Sequence, residues 1–200
     1  MGNNTILNQF LSAVMAGICI SVGCIVNLRV GGVAGAVLFT FGLITVVHYR
    51  YLLYTGTAGF VKTWKSLSDL FLIILAGNLV GCGLMAYGLT ITDCMPELYE
   101  KVTPIIEQRA SQGAASALTR AILCGFLMTT AVKFARENRW LPLLFAVPVF
   151  ILAGFYHSIA DAFYLLFGQR ITDVHLFCNW AVSVAGNFIG CNLYRIVKTD

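Results

Sequence analysis

The heptapeptide Ala76-Gly-Asn-Leu-Val-Gly-Cys82 returns later in the chain as Ala185-Gly-Asn-Phe-Ile-Gly-Cys191, with five of seven positions identical. Each copy carries a G-x-x-x-G, the spacing at which membrane helices approach backbone to backbone. Glycine is abundant enough here for that spacing to arise by chance, but the shared Asn78 and Asn187 argue against chance. Counted along the apolar runs, the first copy falls in the third run and the second in the sixth. Three spans per half force the two halves into opposite orientation, an inverted repeat. Gly77, Asn78, Gly81, Gly186, Asn187 and Gly190 are therefore read as the residues that seat the third and sixth helices against their neighbours.

The runs are membrane spans because nothing else suits the composition. The chain of 200 residues is 58% hydrophobic and 11% charged, against roughly 25% charged in a soluble domain. Mean hydropathy is +0.82. Too little charge is left to clothe a water-facing surface, so the partner is a lipid bilayer. The formal net charge of +4 comes without a dense basic run, which excludes a nucleic-acid partner. The seven cysteines form no C-x-x-C and have no His at zinc-ligand spacing, so neither a metal site nor a disulfide frame is expected. No pattern asks for a cofactor.

A spanning helix needs about 20 mostly apolar residues. The first run extends from about Ile6 to Asn27, without the basic flank or small-residue cleavage site of a removable signal. The second, from about Val33 to Val47, is short. It meets His48-Tyr-Arg-Tyr-Leu-Leu-Tyr-Thr-Gly-Thr-Ala-Gly59 and resumes to about Trp64. The third runs from about Ser68 to Ile91, the fourth from Ala114 to Phe134 and the sixth from Asp173 to Ile196. The fifth begins near Leu141, breaks between Gly154 and Asp161, and resumes to Phe167. Non-helical backbone at membrane depth survives only inside protein or along a cavity. The expectation is a single all-α channel domain over residues 1–200, with halves of about 1–91 and 114–200. A polar loop or surface helix, 92–113, joins them.

With six spans both termini share a side, together with Lys62, Lys65, Lys133, Arg136, Arg139, Arg195 and Lys198. The positive-inside rule makes that side cytoplasmic.

The fifth-span break presents His157, Ser158 and Asp161 inside an apolar run. An ionisable residue at such depth is a candidate functional site. From residue type alone, a polar tie between two helices explains it as well. The repeat moves the balance, because its offset lays the break around Thr55 close to the break around His157. Interruptions at corresponding positions of two halves point to a midplane substrate path. His48 and Arg50, just before the first break, either draw anions by charge or snorkel toward the interface.

Phe155-Tyr-His-Ser-Ile-Ala-Asp161 resembles the fifth-span motif of the formate/nitrite transporter family, and Leu53-Tyr-Thr-Gly56 its second-span loop. The two Gly-Asn-x-x-Gly segments are similar to its third and sixth spans. The resemblance covers about Leu11 to Tyr194 and is that of a short member. It implies an aquaporin-like protomer of six helices, the second and fifth broken, in a homopentamer with one pore per protomer. It implies passage of small monovalent anions or their conjugate acids (formate, nitrite, hydrosulfide) across a bacterial cytoplasmic (inner) membrane. On matching positions, His157 is the central pore histidine and Thr55 its loop partner. Phe39, Leu43, Leu53, Tyr54 and Phe150 form two apolar constrictions, and Arg109 is a basic vestibule residue. The chain departs from the family pattern at Leu52, Gly125, Tyr156 and Asp161.

A bare anion crosses a dry apolar ring only at great cost, and ionisable groups neutralise instead. Burial raises the pKa of a small carboxylic acid and favours its neutral form. His157 could donate a hydrogen bond or a proton to the transient anion, with a donor from Thr55 opposite. A pore for neutral small solutes on the same scaffold is the alternative. An intramembrane enzyme is disfavoured: His157 and Ser158 point apart on a helix, the His157–Asp161 pair lacks a nucleophile, and no catalytic motif occurs.

Overall fold

The computed structural model describes residues 2–196, with side chains from residue 5 onward. Among these residues every regular element is helical. Four helices are long and apolar enough to cross a membrane: Thr5–Val30, Trp64–Thr90, Ala114–Arg136 and Val174–Arg195.

Helix α1, Gly2–Val30, continues past the expected stop at Asn27 and ends at Gly31 and Gly32. Their φ of 70° and 56° lies in the left-handed region that favours glycine. Helix α2 covers Gly32–His48. An extended stretch follows, then the single turn α3, Tyr54–Thr57, and a 3-10 turn, Ala58–Phe60. Helix α4, Trp64–Asp69, is capped by Thr63, whose side chain accepts from Ser66 N–H. It runs on through a π segment, Leu70–Leu75, into α5, Ala76–Thr90.

The polar connection is a helix, α6, Met95–Ser111, which buries Leu98, Val102 and Ile106 at four-residue intervals. It is tied back to the end of α1 by Glu97, which meets Arg29 at 3.0 Å and Lys101 at 2.8 Å. The hydrogen bond from Lys101 and the charge of Arg29 hold the Glu97 carboxyl below its usual pKa.

The second half repeats the order. Helix α7 covers Ala114–Arg136 and α8 covers Leu141–Leu152. After an interruption come α9, Ser158–Phe167, and α10, Val174–Asn192. Gly154, at φ 69°, lets the chain turn out of α8.

The closest packing is between α1 and α5 and between α7 and α10, and the two pairs use matching contacts. A Cβ on Gly77 would lie 2.6 Å from Ala13 Cβ, and one on Gly186 would lie 2.6 Å from Ala121 Cβ. A Cβ on Gly81 would overlap Val14 O, and one on Gly190 would overlap Ile122 O. Gly17 and Gly125 face the carbonyls of Asn78 and Asn187 in the same way. Gly125 is thus the second-half counterpart of Gly17.

The two asparagines hold the interruptions. Asn78 Nδ2 donates to Ala13 O and Leu52 O, and its Oδ1 accepts from Tyr54 N–H. Asn187 Nδ2 donates to Ala121 O and Tyr156 O, and its Oδ1 accepts from Ser158 N–H. Each therefore satisfies a carbonyl and an amide on the two sides of a break. Left alone in a low-dielectric interior, each such group would cost about 1–3 kcal/mol.

Candidate functional site

The interruption before α9 leaves His157 extended, at φ −99° and ψ 107°, as the residue that caps the helix. Its Nδ1 accepts from Ala160 N–H at 3.2 Å. A neutral imidazole with Nδ1 accepting carries its hydrogen on Nε2. Nε2 lies 3.0 Å from Thr55 Oγ1, on the one-turn helix of the other half. Nε2–H therefore donates to Thr55, and the threonine hydroxyl proton is left to point elsewhere. Both residues are buried, His157 at 2% exposure and Thr55 at 0%.

On one side of this pair is a cavity of about 120 Å³, bordered by Phe39, Phe150, His157 and Asp161. Phe39 meets Phe150 edge to face at 5.7 Å, and Phe150 stacks on the His157 ring at 5.5 Å. On the other side is a cavity of about 650 Å³, bordered by Leu43, His48, Arg50, Gly56, Thr57 and Arg136 among others. Leu53 and Tyr54 are buried and border neither. Tyr54 O–H donates to Val184 O at 3.0 Å, which anchors α3 against α10.

The cations of the expected site differ in surroundings. Arg50 is exposed in the larger cavity with a left-handed φ of 58°. Arg109 is partly buried beside the smaller one, where its Nε donates to Asp161 Oδ1 at 3.0 Å. Its guanidinium lies 3.7 Å over the Tyr156 ring. Arg136, absent from the sequence-based site, stacks on Phe60 at 3.8 Å and borders the larger cavity. Its place in the basic run that closes the fourth span was the available signal. Ser158 is not paired with His157: its Oγ is buried without a hydrogen-bond partner among the described residues, and the two His157 ring nitrogens are taken by Thr55 Oγ1 and Ala160 N–H. His175 lies in the first turn of α10 and meets Ala110 O at 3.0 Å.

A family model described as Formate/nitrite transporter matches residues 2–197. The chain belongs to the formate/nitrite transporter family. Two solved structures carry the fold of this transporter family member. A pentameric formate channel with formate bound superposes with a TM-score of 0.85 at 18% identity, covering 98% of this chain and 96% of its own. An FNT family ion channel superposes with a TM-score of 0.83 at 17% identity, covering 96% of this chain and 88% of its own. A comparison with curated protein sequences returned no match.

Proposed function

We propose that this transporter passes small monovalent anions such as formate, nitrite or hydrosulfide, with proton-assisted passage past His157. The observation that carries the reading is the buried His157–Thr55 contact of 3.0 Å between a cavity on each side. A solute leaving either cavity must pass apolar residues, Phe39 and Phe150 on one side and Leu43 and Leu53 on the other. There a bare charge is expensive and a proton taken from vestibule water lowers the cost. Thr55 O–H and His157 Nε2–H then receive the solute's oxygens or sulfur at the centre. Because Nδ1 already holds Ala160 N–H, a second proton on His157 would displace that bond. His157 thus acts as a hydrogen-bond donor, and the proton travels with the solute.

In this reading six segments cross the membrane: α1, α2 with α3, α4 through α5, α7, α8 with α9, and α10. The halves 1–91 and 114–200 form an aquaporin-like inverted repeat in one domain, with the second and fifth segments broken. The matched contacts of Asn78 and Asn187 support that symmetry. Residues of the larger cavity share their face with the basic end of α7, so this mouth is cytoplasmic by the positive-inside rule, as are both termini. Arg50 draws anions there. The membrane is a bacterial cytoplasmic (inner) membrane. The assembly is a homopentamer with one pore per protomer, supported by the pentameric formate channel of like fold.

Flux of formate, nitrite, hydrosulfide and acetate into proteoliposomes, measured at acid and neutral external pH beside glycerol and water, tests this. Formate flux that rises as pH falls, without glycerol or water flux, is expected. Glycerol flux with no passage of the acids would establish the neutral-solute pore instead.

A further inference from the structure

Helices α2 and α8 end in the same hydrogen-bonded turn. Arg50 N–H donates to Val47 O at 3.2 Å and Tyr51 N–H to Val46 O at 2.9 Å. Gly154 N–H donates to Ile151 O at 3.1 Å and Phe155 N–H to Phe150 O at 2.9 Å. This turn needs one left-handed residue, which is most often glycine. Gly154 fills the place at φ 69° and Arg50 at φ 58°. The two positions correspond, since each lies three residues before the residue that caps an inner helix, His157 and Leu53. A Cβ is disfavoured in this conformation. One half therefore carries the residue that suits the backbone, and the other carries arginine against that preference. Such a conflict between backbone and residue points to a role for the side chain.

Arg50 borders the larger cavity, whose 650 Å³ far exceeds the space one formate fills. His48 and Arg136 border it as well. No carboxylate does, and among the described residues neither Arg50 nor Arg136 has an ion pair. Glu137, next to Arg136 in the chain, borders a separate groove with Lys133 and Tyr194. Arg136 is held in place by its stacking on Phe60 and by the bond from Nη2 to Gly56 O at 3.4 Å. Two guanidinium groups at one cavity, one of them pre-oriented, suit an oxyanion with two or more negative charges. Each charged group of such a ligand can meet its own fork of donors. The same ligand can go no further. Ahead of it lie buried Leu43 and Leu53 and the closed His157–Thr55 contact. One proton neutralises a monovalent anion, whereas an anion of higher charge would still bring charge into the apolar neck.

We propose that the larger vestibule is a binding site for polyvalent oxyanions, phosphate compounds or polycarboxylates, held by Arg50 and Arg136. The bound anion stays at the mouth and excludes the monovalent solute from that face. Its effect on transport rests on the channel reading above, to which it adds a ligand that is bound and not carried.

The probes are inorganic pyrophosphate and citrate, at constant ionic strength set with sodium chloride. Their binding is measured by titration calorimetry on the detergent-solubilised protein. Their effect is measured on initial formate flux in oriented proteoliposomes, with probe and formate on the face bearing Arg50. One or both probes should bind, and a bound probe should raise the KM for formate without changing Vmax. Binding of both marks a site that reads charge, of pyrophosphate alone a phosphate site, of citrate alone a polycarboxylate site; each upholds the inference. Arg50→Gly removes the charge and suits the left-handed backbone, so it should fold as well as wild type. It should weaken probe binding about fivefold or more, the loss of one contact between unit charges near a surface. Arg50→Lys keeps a charge and should retain most of the binding, while Arg136→Gln should weaken it as Arg50→Gly does. Binding of neither probe, or binding unchanged in Arg50→Gly, overturns the inference. A bound probe that leaves formate flux unaltered overturns the exclusion. If wild type passes no formate above empty liposomes the channel reading fails, and calorimetry still decides whether the site exists.

Discussion

Leu53 and His157 hold matching positions in the two halves. Each is the extended residue that caps a short inner helix, at φ −90° and ψ 135° for Leu53 and φ −99° and ψ 107° for His157. Each is flanked by a carbonyl and an amide bound to one asparagine: Leu52 O and Tyr54 N on Asn78, Tyr156 O and Ser158 N on Asn187. Thr55, two residues past Leu53, matches Ile159 on the same count. Cys191 Sγ reaches Thr55 O at 3.3 Å and Cys82 Sγ reaches Ile159 O at 3.5 Å, so each half grips the other's inner helix. The donors His157 and Thr55 are therefore bonded across the halves from positions whose counterparts, Leu53 and Ile159, are apolar.

That asymmetry separates sieving from hydrogen bonding. Leu53→Ala should widen the path and raise acetate flux relative to formate several-fold, the order of effect expected from removing methylene groups at a pocket wall. The pH profile of formate flux should stay where it is. A shifted pH profile with unchanged acetate flux would remove Leu53 from the constriction.

Asn78 and Asn187 are predicted to be the largest single contributors to stability among the buried polar residues. Asn187→Leu strands Tyr156 O and Ser158 N in an apolar interior, at about 1–3 kcal/mol for each group left unpaired. Thermal denaturation in mild detergent should show a loss well beyond that of Asn192→Leu. Asn192 donates only to Ala58 O and Phe188 O and is partly buried. Equal midpoints for the two variants would deny Asn187 its role in holding the break.

The glycines divide by surroundings. Gly81→Ala and Gly190→Ala place a methyl group on a backbone carbonyl of the neighbouring helix and should reduce folded yield, because backbone cannot give way as a side chain can. Gly83 lies in α5 with nothing within 4 Å of a Cβ. Gly83→Ala should be neutral or stabilising by up to about 1 kcal/mol, the helix-propensity difference. Size-exclusion profiles of the three variants decide the matter. Normal yield for Gly81→Ala and Gly190→Ala would show that those helices can move apart.

What could be read from the chain depended on whether a local pattern carried it. The matched heptapeptides pointed to Gly77, Gly81, Gly186 and Gly190 because close helix approach leaves small residues at fixed spacing. The breaks near Thr55 and His157 were legible because Gly, Thr and His interrupt apolar runs. The buried positions Leu98, Val102 and Ile106 would have marked 92–113 as a helix rather than a loop, by their four-residue period. Other features have no local signature. The π segment Leu70–Leu75 is uniformly apolar, and nothing in its sequence distinguishes it from ordinary helix. The pairing of Arg109 with Asp161 joins residues far apart in the chain, and only the folded packing of α6 on α9 brings them together. Tyr54 resembles a constriction residue by motif, whereas its hydroxyl in the structure is engaged by Val184 O. Asn78 and Asn187 were legible as repeat markers, but their double duty across the breaks follows from three-dimensional contacts.

The central claim is that His157 and Thr55 donate hydrogen bonds to a solute that would otherwise cross an apolar neck unaided. Formate uptake against external pH, in liposomes holding wild type, His157→Phe, His157→Asn and Thr55→Val, measures it most directly. His157→Phe keeps a ring but no donor and should lower formate flux by about tenfold or more, because a buried polar group of the solute left without its hydrogen bond costs about 1–3 kcal/mol. Thr55→Val should give a smaller loss. His157→Asn keeps an N–H donor and should retain most of the flux with the wild-type pH profile, since the proton travels with the solute. Wild-type flux and pH profile in His157→Phe would contradict the account and leave His157 as a tie between the two halves.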